Sequence, residues 1–289
     1  MPQTGPPQPD GPRDCGRFFL DVVGQFPPEH LAVRWSGHRR SEHPDVEASI
    51  EQTWAQRRQQ ASQEGCKLFN GALCRLVGYR QQNGHLQLQL GPVSYREFLG
   101  TNLVQPHIRY LHGPEVLADP LGVSAALTTT DGYIALTRRS ELVVHYPRLV
   151  HPVAGMVEAP AEPGELPSPM AALVAEVGEE LGLPPAQLGR AVCLGLVRDK
   201  RIVQPELIFD LPVEVASAQL RAAARSAVDA DENAGLVLIR DDGPAVIDAL
   251  KQYRQDLTPV GLAALLLHGR RRWGTGWFAS TRGFLHGVI

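Results

Sequence analysis

The sequence predicts an α+β fold, because two β-hairpin patterns and amphipathic helices follow one another along the chain. Its 289 residues are 43% hydrophobic and 20% charged, which is typical of a globular protein with one large domain or two modest ones. Strand-like apolar residues flank the dipeptides Asn83-Gly84 and Asp131-Gly132, which favour two-residue hairpin turns. These two turns define the first predicted strands.

Further elements are predicted between and around the hairpins. Val46, Ile50 and Trp54 recur every four residues and predict a helix that begins at Pro44. Pro259 suits the first position of a final helix. Residues 94–102 have neither the strand nor the helix period. The remaining predictions are strands at 17–23, 149–153, 194–197, 207–213 and 235–239 and an Ala-rich helix over 216–228.

The second hairpin starts a new strand-rich unit, which places a domain boundary near residue 117. The first residues are rich in Pro and Gly and are predicted to form a disordered tail. A basic triplet at 270–272 is typical of the end of a helix. The expected segments are a tail (1–16), an N-terminal region (17–117), a larger domain (118–270) and a C-terminal tail (271–289).

Composition and charge exclude several classes of protein. With 28 Lys and Arg against 31 Asp and Glu, the formal charge is −3, so the chain lacks the basic footprint of a general nucleic-acid binder. No apolar run approaches the roughly 20 residues that cross a bilayer, and the first residues lack a signal-peptide pattern. The four cysteines are scattered, which favours reduced thiols over a zinc knuckle or redox centre. We expect a cytoplasmic protein, and the sequence leaves its oligomeric state open.

The most informative stretch is an amphipathic helix with an acidic face, predicted over residues 170–183. Its apolar residues fall on one arc of a helix that turns by about 100° per residue, and its glutamates fall on another. Glu179 and Glu180 follow Glu176 by three and four residues. At this spacing the side chains are neighbours on a helix, so their like charges repel. Mg²⁺ or Mn²⁺ would relieve this repulsion, because both prefer oxygen ligands. The spacing alone leaves a solvated acidic face open as the alternative.

These glutamates belong to a longer pattern that follows a glycine loop at Gly155. The pattern resembles the loop–helix–loop signature of the Nudix hydrolases. The residues that match its helical half are Glu176, Glu179, Glu180, Gly182 and Leu183. The resemblance implies a Nudix α/β/α sandwich with a mixed sheet, preceded by a smaller N-terminal α+β region. It also implies that the three glutamates are catalytic and hold Mg²⁺, with Mn²⁺ as a substitute.

The chain departs from the signature in two ways. Between Gly155 and Glu176 lie 20 residues where the family has 14, so the loop is six residues longer. Ala175 stands where the family has an arginine that orients a glutamate through a charge-assisted hydrogen bond. The longer loop leaves open which residue takes the role of the loop glutamate. The candidates are Glu158, Glu162 and Glu165.

Three further segments narrow the resemblance within the family. Residues 94–102, 117–127 and 136–140 are similar to the UDP-sugar-cleaving Nudix hydrolases, which also lack the arginine and have a lengthened loop. The resemblance implies that the region 17–117 helps to bind the uridine. It further implies Mg²⁺-dependent cleavage of UDP-glucose or UDP-galactose to UMP and hexose 1-phosphate, with the preferred sugar and base left open.

The same resemblance implies a set of substrate-binding residues. Phe69 and Tyr95 could stack on uracil, and Arg139 could hold the diphosphate through two parallel hydrogen bonds. Core packing of the aromatic rings and a surface ion pair of the arginine are the alternatives. The other expected pocket residues are Asn102, Val144, His151, Met156 and Glu158. Asn102 could instead cap its own turn, and His151 could be an ordinary partly buried imidazole. Glu206 is not expected to support the metal.

Two other functions stay open on the sequence. The substrate could be another nucleoside diphosphate derivative, such as ADP-ribose, NADH or coenzyme A. The chain could also be a Nudix-fold module that binds a nucleotide sugar without cleaving it, which the replacement of the arginine by Ala175 would favour. The retained glutamates argue against this second alternative, because binding alone needs no metal-holding carboxylate face. The expected partner is therefore a small nucleotide sugar, with neither nucleic acid nor membrane.

Overall fold

The chain forms one large mixed sheet and one small sheet in the computed structural model, which describes residues 13–64, 68–141, 143–162 and 164–287. The strands of this described part are β1 (Arg13–Asp14), β2 (Phe18–Phe26), β3 (Leu31–Trp35), β4 (Ala72–Gln82), β5 (His85–Ser94), β6 (Gly122–Thr128), β7 (Tyr133–Arg139), β8 (Val150–His151), β9 (Val153–Met156), β10 (Val192–Asp199), β11 (Pro205–Pro212) and β12 (Asn233–Arg240). The α-helices are α1 (Pro44–Glu64), α2 (Tyr95–Phe98), α3 (Arg109–His112), α4 (Pro169–Leu181), α5 (Ser217–Ala224), α6 (Gly243–Gln252) and α7 (Pro259–Gly287).

The large sheet has the strand order β1-β2-β10-β11-β6-β7-β12, with β9 paired to β6 and β8 paired to β7. It is a mixed sheet, because β11 and β6 run parallel while the other paired strands run antiparallel. The hairpin predicted at Asp131 is confirmed as the pair β6 and β7. The small sheet has the order β3-β5-β4 and contains the hairpin predicted at Asn83. There φ is 51° at Asn83 and 77° at Gly84, as the two-residue turn requires.

Helices cover both faces of the large sheet. Because side chains alternate along a strand, Phe209 and Ile208 of β11 point to opposite faces. Phe209 belongs to an apolar cluster with α4 and α5. Ile208 belongs to a second cluster with α6 and α7. This three-layer arrangement confirms the predicted α/β/α sandwich with a mixed sheet.

The small sheet is joined to the large one through the outer edge of β4. Cys74 donates its backbone N–H to the Val157 carbonyl and accepts a hydrogen bond from the backbone N–H of Leu121. Strand β2, which the sequence places in the N-terminal region, pairs with β10 in the large sheet. The division at residue 117 stays a prediction, and backbone hydrogen bonds cross it.

Both ends of the chain contain more regular structure than the two predicted tails. Residues 1–12 lie outside the described residues, while Arg13–Asp14 form β1. From residue 271 onward the chain is helical to Gly287, with a break at Gly274, where φ is 88°. Trp273 and Trp277 pack against each other and against the cluster of α6 and α7, and this apolar burial favours the ordered segment. Within the described part of the chain, every helix is too short or too polar to cross a bilayer.

Candidate active site

A cavity of about 500 Å³ lies where the ends of β7 and β9 and the start of β11 meet α4. Segments from the start of β4 to the start of α7 contribute to it. Most of the residues singled out in the sequence line this cavity. They are Tyr95, Arg139, Val144, His151, Met156, Glu158, Glu176 and Glu179.

Helix α4 positions the glutamates at this cavity. It begins at Pro169 because the Ser168 hydroxyl accepts a hydrogen bond from the backbone N–H of Ala171 at 3.1 Å. It ends before Gly182, whose φ of 68° is the left-handed conformation that glycine adopts without strain. Its apolar arc is buried in the cluster against the large sheet. The predicted amphipathic helix is therefore confirmed.

Glu176 lies against the backbone of β9 at Gly155, where even a Cβ atom would clash with its carboxylate. The side chain is half-buried and lines the cavity. Burial, together with the negative charges of Glu180 and Glu179, raises the pKa of Glu176 to about 8. The surroundings of Glu176 therefore disfavour the charged form of its carboxylate.

Glu179 and Glu180 differ in their surroundings. Glu179 is exposed at the cavity. Glu180 is 7% exposed and does not line the cavity. Its carboxylate accepts hydrogen bonds from the backbone N–H of Ala154 at 3.3 Å and from the Asn233 amide at 2.9 Å. Burial is the main cause that raises the pKa of Glu180 to about 7.

Arg139 stands at the end of β7, and its Nε donates a hydrogen bond to the His145 carbonyl at 3.2 Å. Among the described lining residues it is the one arginine, and none is a lysine. Burial lowers the pKa of His145 to about 3 and holds the pKa of His151 well below its ordinary value. The Nδ1 of His151 is also 2.8 Å from the Thr258 hydroxyl. Since both imidazoles are neutral, Arg139 is the positive charge of the cavity.

Several acidic lining residues were not singled out as site residues in the sequence. They are Asp199, Asp229, Asp231 and Glu232, together with Glu206, which was not expected to take part. The acidic run at 229–232 was the available signal, but sequence spacing does not connect it to α4. Glu206 is 5% exposed, its Oε1 has no hydrogen-bond partner among the described residues, and burial raises its pKa to about 8. The cavity is therefore strongly acidic.

The donor set of the cavity fits a hard divalent cation. Carboxylates of Glu176, Glu179 and Glu206 supply the oxygen atoms that Mg²⁺ and Mn²⁺ prefer. The unpartnered Oε1 of Glu206 is a buried acceptor that a cation or its water could satisfy. An anionic ligand entering this cavity also requires positive charge beyond that of Arg139.

Phe69 and Asn102 are not brought to the cavity. Phe69 lies before β4 and is 78% exposed. The Asn102 amide is buried and donates to Asp119 Oδ1 and to the Ile202 carbonyl, each at 3.0 Å, while its oxygen accepts the Asp119 backbone N–H. Its polar atoms thus tie three chain segments together. The pocket role of Asn102 stays a prediction.

Of the three loop glutamates left open, the described cavity lining includes Glu158 and neither Glu162 nor Glu165.

A second cavity of about 360 Å³ shares the wall formed by Val144, His145 and Tyr146. Its lining also contains Arg57 and Arg201. The Tyr146 hydroxyl donates to Asp199 Oδ2 at 2.6 Å and so fixes this wall.

Curated Nudix proteins are similar to this chain over most of its length. Nudix hydrolase 9 of Arabidopsis thaliana is 29% identical over 256 residues, which are 76% of this chain and 81% of that protein. A mouse (Mus musculus) protein named uridine diphosphate glucose pyrophosphatase NUDT22 is 27% identical over 281 residues, 88% of this chain and 90% of its own length. The chain is therefore similar to the Nudix hydrolases, as predicted.

No family model matches the chain. Among solved structures, a Nudix hydrolase of Nitrosomonas europaea is 18% identical, with a TM-score of 0.35, over 53% of this chain and 89% of that one.

Ala175 stands where the Nudix signature has an arginine, and it is exposed on α4. The hydrogen bonds from Asn233 and Ala154 orient the Glu180 carboxylate on α4.

Proposed function

We propose that this Nudix protein hydrolyses the pyrophosphate bond of UDP-sugars, UDP-glucose or UDP-galactose, with Mg²⁺ to give UMP and hexose 1-phosphate. The observation that carries the proposal is the acidic cavity, in which Glu176 and Glu179 of the Nudix helix accompany Arg139 and Tyr95. A diphosphate enters such a cavity only with cations. The relatives named uridine diphosphate glucose pyrophosphatase support the choice of a uridine nucleotide.

The three glutamates of α4 are the proposed metal ligands. Glu176 and Glu179 line the cavity, and Glu180 is oriented by Ala154 and Asn233 while keeping further lone pairs for a cation. When bound, Mg²⁺ supplies positive charge at the phosphate oxygens and makes a coordinated water more acidic. Mn²⁺ is the proposed substitute.

Arg139 is proposed to bind the diphosphate. Its planar guanidinium can donate two parallel hydrogen bonds to phosphate oxygens. The Nε donation to the His145 carbonyl holds the end of the side chain in place. His151, kept neutral by burial, can form a hydrogen bond with the substrate without adding charge.

The two ends of the substrate are proposed to occupy the two sides of this site. Tyr95 offers an aromatic face for the uracil ring, and Val144 and Met156 offer apolar contacts. The neighbouring cavity behind Val144 and Tyr146 gives room for the part of the nucleotide sugar beyond the diphosphate. Glu158 lies at the cavity and is the proposed loop glutamate.

The reaction requires attack of a water oxygen on one phosphorus atom. The bond between that phosphorus and the bridging oxygen breaks, and the bridging oxygen leaves with the other phosphate. A cavity carboxylate accepts the proton that the attacking water releases. Arg139 donates hydrogen bonds to phosphate oxygens whose negative charge increases during the attack.

The test is ³¹P NMR of the full-length protein with UDP-glucose and Mg²⁺. We expect the diphosphate signals to be replaced by those of UMP and glucose 1-phosphate. With the Glu180→Gln variant, we expect the diphosphate signals of UDP-glucose to stay unchanged. Parallel reactions contain ADP-ribose, NADH and coenzyme A. Faster cleavage of one of these would leave a pyrophosphatase but disprove the sugar assignment. Absence of cleavage in every reaction, with binding of UDP-glucose retained, would instead favour a binding module.

A further inference from the structure

A second group of metal-binding residue types lies in the N-terminal region, where α1 begins and α3 ends. His43 directly precedes α1, Asp45 is the second residue of α1, and His112 is the last residue of α3. One ligand atom from each of the three residues lies within 4.8 Å of the other two. None of the three lines the acidic cavity, so the group is separate from the Nudix glutamates.

The distances within this group suit one shared ion better than direct hydrogen bonds. Asp45 Oδ2 is 3.6 Å from His43 Nδ1 and 4.0 Å from His112 Nε2, both too long for a hydrogen bond. Metal bonds of about 2.0–2.2 Å in a tetrahedral site place two ligand atoms roughly 3.3–3.5 Å apart. Small rotations of the side chains are therefore enough to converge on one ion.

The two imidazole rings are already close to each other. Their centroids are 3.8 Å apart with the planes inclined by 33°, and the carboxylate of Asp45 lies beside both. The one hydrogen bond within the group is a long one of 3.3 Å, from the Asp45 backbone N–H to His43 Nδ1. A metal ion could replace this weak bond at little cost.

We propose that His43, Asp45 and His112 bind one borderline transition-metal ion, Zn²⁺, in a site distinct from the proposed Mg²⁺ site and independent of the proposed hydrolysis. Two imidazole nitrogens and one carboxylate oxygen are typical zinc ligands, whereas Mg²⁺ prefers oxygen. The side chain of Asp45 is 77% exposed, which leaves the fourth position open to water. The ion links the end of α3 to the start of α1 and stabilises this region.

The test measures zinc bound by the full-length protein after incubation with Zn²⁺ in excess Mg²⁺ and removal of unbound metal. We expect the wild type to retain one zinc equivalent more than His112→Ala or His43→Ala. The matched control is His107→Ala, which removes an exposed imidazole from the neighbouring turn and should retain the zinc. Circular dichroism establishes that each variant is folded.

Two further measurements separate this site from the carboxylates. Zinc should raise the melting temperature of the wild type and of Glu180→Gln, but not that of His112→Ala. Bound Co²⁺ should show visible d–d bands that disappear in His112→Ala and persist in Glu180→Gln. Equal zinc content in the wild type and both folded histidine variants, or loss of the extra equivalent in Glu180→Gln alone, would overturn the proposal.

Discussion

Glu176 Oε1 lies where a Cβ atom on Gly155 would stand, too close for both atoms to fit. Glu176 of α4 therefore occupies the space that any other residue at position 155 would need for its own side chain. Burial and two neighbouring glutamates oppose the negative charge of this carboxylate. Its place at the cavity thus depends on close packing against bare backbone.

Replacing Gly155 with alanine should displace Glu176 and weaken metal binding. We expect kcat/KM for UDP-glucose to fall by roughly 10–100-fold, the range seen when groups that position metal ligands are lost, with a higher Mg²⁺ requirement. The control is Gly178→Ala on α4, whose Cβ would meet only the Leu183 carbonyl at 3.8 Å. It should preserve activity and raise the free energy of unfolding by about 1 kcal/mol. Normal kinetics of Gly155→Ala would contradict this role.

Glu176→Gln and Glu180→Gln should each remove nearly all hydrolysis, because an amide is a poorer ligand than a carboxylate for a hard cation. We expect a loss of more than about 100-fold in kcat, comparable with the loss of other electrostatic groups, at an unchanged circular dichroism spectrum. Glu165→Gln is the matched control, since Glu165 does not line the cavity. A comparison of Glu165→Gln with Glu158→Gln and Glu162→Gln identifies the loop glutamate. Full activity of Glu180→Gln would refute the metal assignment.

Arg139→Gln should raise KM for UDP-glucose by about 10–100-fold, which corresponds to a charge-assisted hydrogen bond of roughly 1.5–3 kcal/mol. The neighbouring Arg138→Gln serves as control, because Arg138 donates to the Arg148 carbonyl and lies outside the cavity. We expect its KM to stay within about twofold of the wild type, as for a surface substitution. Initial-rate kinetics of both variants decide the matter. Equal effects of the two variants would remove Arg139 from the site.

Tyr95→Ala should weaken nucleotide binding by about 10-fold, within the usual range for loss of a base-stacking ring, while Tyr95→Phe should bind normally. Phe69→Ala is the informative comparison, because Phe69 is exposed and does not line the cavity. Calorimetric titration of UMP into each variant measures the effect. A larger loss in Phe69→Ala than in Tyr95→Ala would show that the base binds elsewhere.

His268 should make the stability of the fold depend on alkaline pH. Its Nδ1 and Nε2 lie 2.8 Å from Asp210 and 3.0 Å from Asp241. Burial lowers the pKa of His268, but hydrogen bonds and charges of the two aspartates outweigh burial and raise it to about 9. Because the folded pKa exceeds the ordinary value of about 6.5, this contribution is complete below pH 6.5 and is lost as the pH rises through 9.

Urea denaturation of the wild type at pH 6, 7.5 and 9 measures this contribution. We expect the free energy of unfolding to fall by a few kcal/mol over this range, at about 1.4 kcal/mol for each unit of pKa difference. His268→Gln should be less stable at pH 6 and should lose most of the pH dependence. An identical slope in wild type and variant would exclude His268 as its source.

The elements that the sequence predicted correctly depend on local patterns. The period of α4 and the turn dipeptides at Asn83 and Asp131 act over a few residues, so they are visible without the fold. The pairing of β2 with β10 and the contact of Asn102 with Ile202 join residues far apart in the chain. No local period encodes such contacts. Long-range contacts of this kind determine which of the predicted residues reach the cavity.

The helix beyond residue 271 shows the same limit. Its basic and glycine-containing sequence resembles a tail, and a break at Gly274 does interrupt it. The segment is nevertheless ordered, because Trp273 and Trp277 find an apolar surface on the far side of the large sheet. That surface exists only in the assembled layers, so the sequence of the segment alone does not reveal it.

Both edges of β4 are occupied, one by β5 and the other by backbone around Leu121 and Val157. In a fragment that starts after residue 118, the backbone N–H of Leu121 and the carbonyl of Val157 would lose their partner on β4. An unpaired edge of this kind is a template for aggregation. The N-terminal region thus covers a backbone edge of the half that contains α4. Neither half could be exchanged as an independent module in evolution or in engineering without covering the edge left behind.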